Sequence, residues 1–266
     1  MGHLAISDIA AARHYSAERF ARAAAGLAGA RSDPFEVWLG PWSIHTDNER
    51  STLAVAAQQN DIGLSLQLQP GNKPLVLQGE RGLSRKSATP GNASYYYSLT
   101  RLPTRGELRI GDKRYTVEGN SWLDREWSSS ALDKDQAGWD WFALQLDDGR
   151  DVMFYQLRNK QGGVHEFSRG KLVEKDGRVH TLLPNQVTLT PRRYWQAKDG
   201  ERYPIKWRMQ VADHQLDLEV EALIDDQLMD YTVRYWEGAV DVSGSHSGKG
   251  YLELSGYDSR EQLTDE

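Results

Sequence analysis

The feature that most constrains this chain is a two-residue alternation of apolar and polar side chains, repeated in short segments and interrupted by turn-forming dipeptides. Before the middle of the chain it runs through Glu36–His45, Thr52–Gln58, Gly63–Gln69, Ser94–Arg101, Glu107–Ile110 and Arg114–Glu118. After Gly138 it returns in Trp139–Leu146, Asp151–Arg158, Gly163–Glu174, Arg178–Leu182 and Gln186–Thr190. Ile205–Ala212, Gln215–Ala222, Met229–Trp236, Ala239–Ser243 and Gly250–Ser255 complete the series. Gly111-Asp112, Asp147-Asp148-Gly149, Asp176-Gly177 and Asp213-His214 carry hairpin chemistry between these segments. Many short strands joined locally predict an antiparallel sandwich or barrel. One exception is expected. Residues Ala17–Ala28 combine high helix propensity with Ser16 as N-cap, and Phe20, Ala24 and Leu27 fall on one helical face.

A length of 266 residues accommodates two small domains or one large one. The polar stretch Ser128–Ala137 breaks the alternation, which places a boundary there and divides the chain into domains 1–130 and 131–266. No apolar stretch approaches the ~18 residues that a membrane-spanning helix needs. Nor is a secretory signal peptide visible after Met1-Gly2-His3. A net charge of −6 without a basic tract argues against nucleic acid as a partner. With no cysteine there is no thiol nucleophile, disulfide framework or Cys-based zinc site. The seven histidines form no HxH or HExxH and have no spacing to a carboxylate that suggests a metal site, so neither metal nor cofactor is expected. Gly244-Ser245-His246-Ser247-Gly248 has His where a nucleophile elbow needs Ser, and reads as a hairpin loop.

Nine Trp and twelve Tyr accompany only five Phe. Such side chains join a large apolar face to a polar tip, which suits a sheet core or an apolar ligand pocket. They concentrate in Gly119-Asn-Ser-Trp-Leu-Asp-Arg-Glu-Trp127 and Gly138-Trp-Asp-Trp141. On a strand, Trp122, Asp124 and Glu126 share one face and Leu123, Arg125 and Trp127 the other. An acid among aromatic rings is desolvated, stays protonated at higher pH and becomes a candidate general acid. Asp124 is therefore the candidate proton donor, with Trp122 and Glu126 beside it. The competing reading makes Asp124 or Glu126 a structural ion-pair partner of Arg125 or Arg158. Tyr95, Tyr97, Leu99 and Arg101 share a face that either lines a cavity or is buried in a sheet, and Tyr96, Ser98 and Thr100 share the other. Asp140, between Trp139 and Trp141, is expected to point outward or cap a turn. Gly138-Trp139-Asp140-Trp141 with a later Arg is similar to the way lipocalin-type barrels begin and close, a Trp plugging one end beneath a guanidinium.

The order of motifs carries a resemblance over nearly the whole chain. Ala-Ile-Ser-Asp at 5–8, Glu-Arg-Phe-Ala-Arg at 18–22, Gly-Leu-Ala-Gly at 26–29 and Tyr96-Tyr97-Ser98 lead to Trp122-Leu-Asp-Arg-Glu-Trp127 and Gly138-Trp-Asp-Trp-Phe142. Tyr235-Trp-Glu-Gly-Ala-Val240 and Gly250-Tyr-Leu-Glu-Leu-Ser-Gly-Tyr257 follow. This series resembles the carotenoid 1,2-hydratase (hydroxyneurosporene synthase) superfamily, and in particular its bacterial branch of lipocalin-like proteins called predicted secreted hydrolases. The resemblance implies an all-β fold of two lipocalin-like (calycin-type) antiparallel β-barrel or sandwich domains, here with one short N-terminal helix. It also implies a periplasmic or secreted location and cofactor-free, acid-initiated addition of water to a C=C bond of an isoprenoid or lipid-like substrate. Asp124 would be the acid and Trp122 its aromatic neighbour. Tyr95, Tyr97, Arg101, Trp127, Trp139, Trp141 and Arg158 would bind the ligand. The alternative is a non-catalytic lipocalin-type carrier of an apolar ligand. Relatives begin with a Trp-rich first strand that this chain does not contain, which would leave its first domain without opening strands. They often carry His where Arg125 stands, so the resemblance leaves activity open.

Overall fold

The computed structural model describes residues 1–47, 49, 52–128 and 132–258. The first strands are β1 (Gly2–Asp8), β2 (Arg13–Arg19), β3 (Ala28–Ser32), β4 (Phe35–Leu39), β5 (Trp42–Asp47), β6 (Thr52–Gln59) and β7 (Ile62–Leu68). Short β8 (Val76–Leu77) and β9 (Leu83–Arg85) precede two long strands, β10 (Ala93–Ile110) and β11 (Lys113–Ser128). Next come β12 (Gln136–Leu146), β13 (Asp151–Asn159), β14 (Arg169–Val173), β15 (Val179–Leu182), β16 (Thr188–Gln196) and β17 (Arg202–Val211). The chain ends with β18 (Leu216–Ala222), β19 (Leu228–Asp230), β20 (Arg234–Gly244) and β21 (Gly248–Ser255). Among the described residues the only helical pieces are the 3-10 turns Pro184–Gln186 and Ala212–His214, and no helix is long and apolar enough to cross a membrane.

The expected N-terminal helix is therefore absent. Residues 13–19 pair antiparallel with 2–8 from Gly2↔Arg19 to Asp8↔Arg13, and the residues from 28 onward enter β3. The pairing places Ala17 beside Leu4 and Ile6 in a small core with Trp42 and Ile62. Helix propensity, a few tenths of a kcal/mol per residue, is overridden by this burial. Each of the four hairpin signals does join two consecutive strands: β10–β11, β12–β13, β14–β15 and β17–β18. The segments read as Ser94–Arg101 and Glu107–Ile110 are one strand, β10. Its first part pairs with β8 and β9 and its last part with β7, so Pro103 sits where the neighbours change.

The chain forms two compact units, residues 1–72 with 101–122 and residues 73–100 with 123–266. The stretch 128–137, proposed as a junction, falls within the second, and residues 129–131 lie outside those described. The first unit contains the β1–β2 hairpin and β3 to β7, paired in chain order and continued by β10.

The second unit is built on an antiparallel sheet of order β15-β14-β13-β12-β21-β20-β18-β17-β16, with β19 paired to β20. Alternation gives each of its strands an apolar inward face. Phe142, Phe154, Tyr203, Trp207, Trp236 and Leu252 contribute to one continuous, almost completely buried cluster. Phe142 and Trp207 are four strands apart, roughly 19 Å in a flat sheet. Their rings meet edge-to-face at 5.6 Å, so the sheet curls around a filled interior.

Asp140 lies on the inward face with its side chain fully buried, contrary to the expectation that it points outward. It pairs with Arg158 and accepts hydrogen bonds from Gln156 (3.1 Å) and Tyr257 (2.8 Å). Arg158 also donates to the carbonyls of Ser255 and Gly256, and its guanidinium stacks 3.8 Å from the Tyr257 ring. The aromatic plug under the arginine is thus Tyr257, not a Trp. Gly138 allows this closure: at φ +153°, a Cβ would fall 2.2 Å from the Ser255 oxygen. Removing one partner of a buried pair leaves the other charge uncompensated. Arg158→Ala should therefore lower unfolding free energy by about 3–5 kcal/mol in urea titrations. The double change Asp140→Leu/Arg158→Met should lose less, and equal losses would show that charge pairing is not what holds this closure.

Candidate functional site

With the interior filled, the open space lies on the opposite, outward face of β12 and β13. A cavity of about 430 Å³ is lined there by Lys86, Tyr96, Glu126, Trp127, Ser128, Trp139, Trp141, Tyr155 and Leu157, all from the second unit. The same alternation that sends Phe142 and Leu144 inward sends Trp139 and Trp141 outward, and the register sets Trp141 opposite Tyr155 and Trp139 opposite Leu157. The covering side is built from the segment 78–100. Gln136 donates to the Lys86 carbonyl (2.6 Å), Gln145 to the Thr100 carbonyl (2.7 Å), and Thr100 to Asp151 (2.8 Å). The Ser84 and Tyr155 hydroxyls share a hydrogen bond at 2.9 Å.

Tyr96 is central to the cavity. Trp141 donates its indole N–H to the Tyr96 hydroxyl at 3.0 Å, and that hydroxyl donates to the Asp124 carboxylate. Burial, followed by the Asp124 charge, pushes the phenol far above its ordinary pKa, which keeps Tyr96 a donor. Glu126 is held by Lys86 at 2.8 Å and by the Ser94 hydroxyl at 2.5 Å. The Lys86 ammonium also stands 4.2 Å from the centre of the Tyr155 ring and 5.3 Å from that of Tyr96, within range of attraction to their faces.

Behind Trp141 the outward row continues through Glu253 on β21 to Glu237 on β20. Glu253 accepts the Trp139 indole N–H at 2.8 Å. Its carboxyl is raised by burial, with further contributions from the Glu126 and Asp124 charges. Glu237 is pushed up to about 8 by burial and by Glu253, and burial likewise raises Tyr251. The site thus combines aromatic faces with carboxyl groups of different proton affinity, an arrangement suited to moving a proton in an apolar setting.

Of the residues singled out in the sequence, Glu126, Trp127, Trp139 and Trp141 line the cavity, and Asp124 is hydrogen-bonded to a lining residue. Tyr95 and Tyr97 occupy the other face of β10 and pack on Trp127, with ring centres 5.7 and 6.3 Å away. Arg158 belongs to the Asp140 closure. Trp122 and Arg101 are in the first unit and are not among the described lining residues. Arg125 is exposed. Sequence reasoning missed Lys86, Tyr96, Tyr155, Glu237 and Glu253. The alternation at 235–241 and 249–255 does separate the two glutamates from the core, but nothing local in the sequence distinguishes a covered outward face from a solvated one.

An all-β protein whose curled sheet is filled inside and carries an aromatic, acid-containing cavity on its outer face is the class that these features define. The AttH-like family model matches residues 1–257, and the chain belongs to that family. A crystal structure of an AttH from Nitrosomonas europaea is 33% identical, with a TM-score of 0.86 over 96% of this chain and 80% of that one. The fold is shared with kievitone hydratase from Nectria haematococca, at 17% identity and a TM-score of 0.68 over 82% of this chain and 69% of that one. CghA with Sch210972 has a TM-score of 0.54 at 14% identity, over 85% and 72% of the two chains. A search of curated proteins returns no match.

The acid row predicts a pH signature. A carboxyl raised to about 8 in the folded protein, against ~4.5 unfolded, binds its proton more tightly when folded. Its contribution to stability is then greatest below the unfolded value and falls as pH rises from ~4.5 to ~8. Glu237→Gln should remove this decline and stabilise the protein at pH 8 by roughly 2–4 kcal/mol, read from urea midpoints across pH. If the wild-type decline persists unchanged in the variant, Glu237 is not its source.

Proposed function

We propose that the protein is a cofactor-free hydro-lyase that adds water to a C=C bond of an apolar, isoprenoid or lipid-like substrate held in the Tyr96 cavity. The observation that carries this reading is the hydrogen-bonded series Trp141–Tyr96–Asp124, set in a wall of aromatic faces. The cavity volume of about 430 Å³ falls within the ~300–1,000 Å³ range of small-molecule sites. Sharing a fold with kievitone hydratase is consistent with the reading, although fold alone does not fix a reaction.

In this scheme Asp124 takes up a proton, reversing its hydrogen bond with the Tyr96 hydroxyl, and this acid form supplies the proton, directly or through that hydroxyl, to the less substituted alkene carbon. The alkene π electrons form the new C–H bond and the more substituted carbon becomes cationic. The faces of Trp139, Trp141 and Tyr155 stabilise that charge through their quadrupoles. Water attacks it, and the proton lost by the attacking water returns to Asp124, so that the net change is alkene plus water to alcohol. Glu126, kept in place by Lys86 and Ser94, positions the water at the cavity opening.

Incubation with acyclic isoprenoid alkenes in ¹⁸O-labelled water should give a labelled tertiary alcohol. Asp124→Asn and Tyr96→Phe should each slow its formation by roughly 10²–10⁴-fold while leaving ligand affinity nearly unchanged. Stoichiometric uptake with no labelled product in any form would favour a non-catalytic carrier. Wild-type rates in Asp124→Asn would remove that residue from the mechanism.

A further inference from the structure

A second group of side chains with metal-binding chemistry lies outside the cavity, at one end of the filled interior. Glu174 follows β14 directly, His180 is on β15, and His214 closes the 3-10 turn between β17 and β18. One donor atom from each lies within 4.8 Å of the others. The pairing Leu172↔His180 sets the imidazole on the same face as the core residue Leu172. Alternation sets Glu174, two residues on, on that face too, diagonal to His180. Glu174 and His180 therefore project from the inward face of the sheet, and His214 meets them from the turn between β17 and β18.

Their spacing suits a metal ion. Zinc–donor distances of ~2.0–2.2 Å at tetrahedral angles put two donors roughly 3.3–3.5 Å apart. His180 Nε2 and Glu174 Oε1 are 3.4 Å apart, and the His180 and His214 ring centres are separated by 4.8 Å. A modest rotation of His214 would complete the set. The backbone of two of the three residues is pinned, with Lys73 donating to the Glu174 carbonyl and Arg150 to the His214 carbonyl at 3.2 Å. Arg150 is itself paired with Asp148 at 2.7 Å, which offsets its charge beside the site.

We propose that Glu174, His180 and His214 form a binding site for a divalent transition-metal ion of the zinc type, with water completing the coordination. Two imidazoles and one carboxylate are donors that favour zinc-class ions over calcium or magnesium. The ion would tie the β14–β15 hairpin, at one end of the sheet order, to the β17–β18 turn near the other end. Gln186 already reaches across the same seam to Asp213 at 3.1 Å. A bound ion would thus clip the curled sheet shut. No residue of this cluster lines the Tyr96 cavity, so the proposal stands or falls separately from the hydration chemistry.

The full chain, stripped with chelator, should bind one equivalent of Zn²⁺ in calorimetric titration. At about 100-fold excess over its Kd, the ion should raise Tm by roughly 5 °C. Co²⁺ substitution should give the intense visible bands of a four-coordinate site. His180→Ala and His214→Ala should each weaken binding by more than the ~10–100-fold that loss of a supporting residue costs, while His3→Ala leaves it unchanged. Glu174→Gln, which keeps the volume, should also weaken binding and alter the cobalt spectrum, and serves if a histidine variant does not fold. No binding, binding that survives the His180→Ala/His214→Ala pair, or equal loss in His3→Ala would overturn the proposal.

Discussion

The packing of large side chains inside one curled sheet sets the terms for the rest of the second unit. Phe142, Trp207 and Trp236 fill that interior with buried side chains, and the aromatic cavity lies on the other face. Because side chains alternate along a strand, the residues that fill the interior determine which ones face outward. On β12, burying Phe142 and Leu144 commits Trp139 and Trp141 to the outer face, and on β21 burying Leu252 and Leu254 commits Tyr251 and Glu253. A one-residue slip of either strand would exchange a core layer for a row of site residues.

The covering segments turn this outer face into a site. A carboxylate on a solvated sheet is unremarkable, whereas Glu237 and Glu253 lose hydration through burial and retain their protons to higher pH. The Tyr96 hydroxyl is affected in the same direction and remains a donor between Trp141 and Asp124. Asp140 illustrates a different solution on the inner face, where Arg158, Tyr257 and Gln156 together compensate a completely buried acid. Acids close together in sequence, Asp124 and Asp140, thus have separate environments and separate tasks.

Much of the architecture was legible in the sequence because strand alternation and hairpin dipeptides are local signals. Gly111-Asp112, Asp176-Gly177 and their counterparts marked real hairpins, and the ordered Trp motifs pointed to the family shown by the match over residues 1–257. The 17–28 segment misled because the Ala17 environment is fixed by partners in β1 and β5, which local propensity does not register. The aromatic cavity was half legible: Trp139, Trp141 and Glu126 stood out, but of the three consecutive tyrosines Tyr96, not its neighbours, faces it. Which face of β10 is covered depends on contacts with β12 and β13, far along the chain. The Glu174–His180–His214 group was invisible for the same reason, since curling of the sheet brings residue 214 to residue 180.

The outer-face cavity, rather than the sheet's interior, is the proposed ligand site. The most direct measurement is a crystal structure of the protein soaked with an acyclic isoprenoid alkene. The alkene chain is expected between Tyr96, Trp139, Trp141 and Tyr155, with its double bond facing the Tyr96 hydroxyl and Asp124. An alkene bound within the Phe142–Trp207–Trp236 interior, or a Tyr96 cavity left empty while the ligand occupies another site, would contradict it.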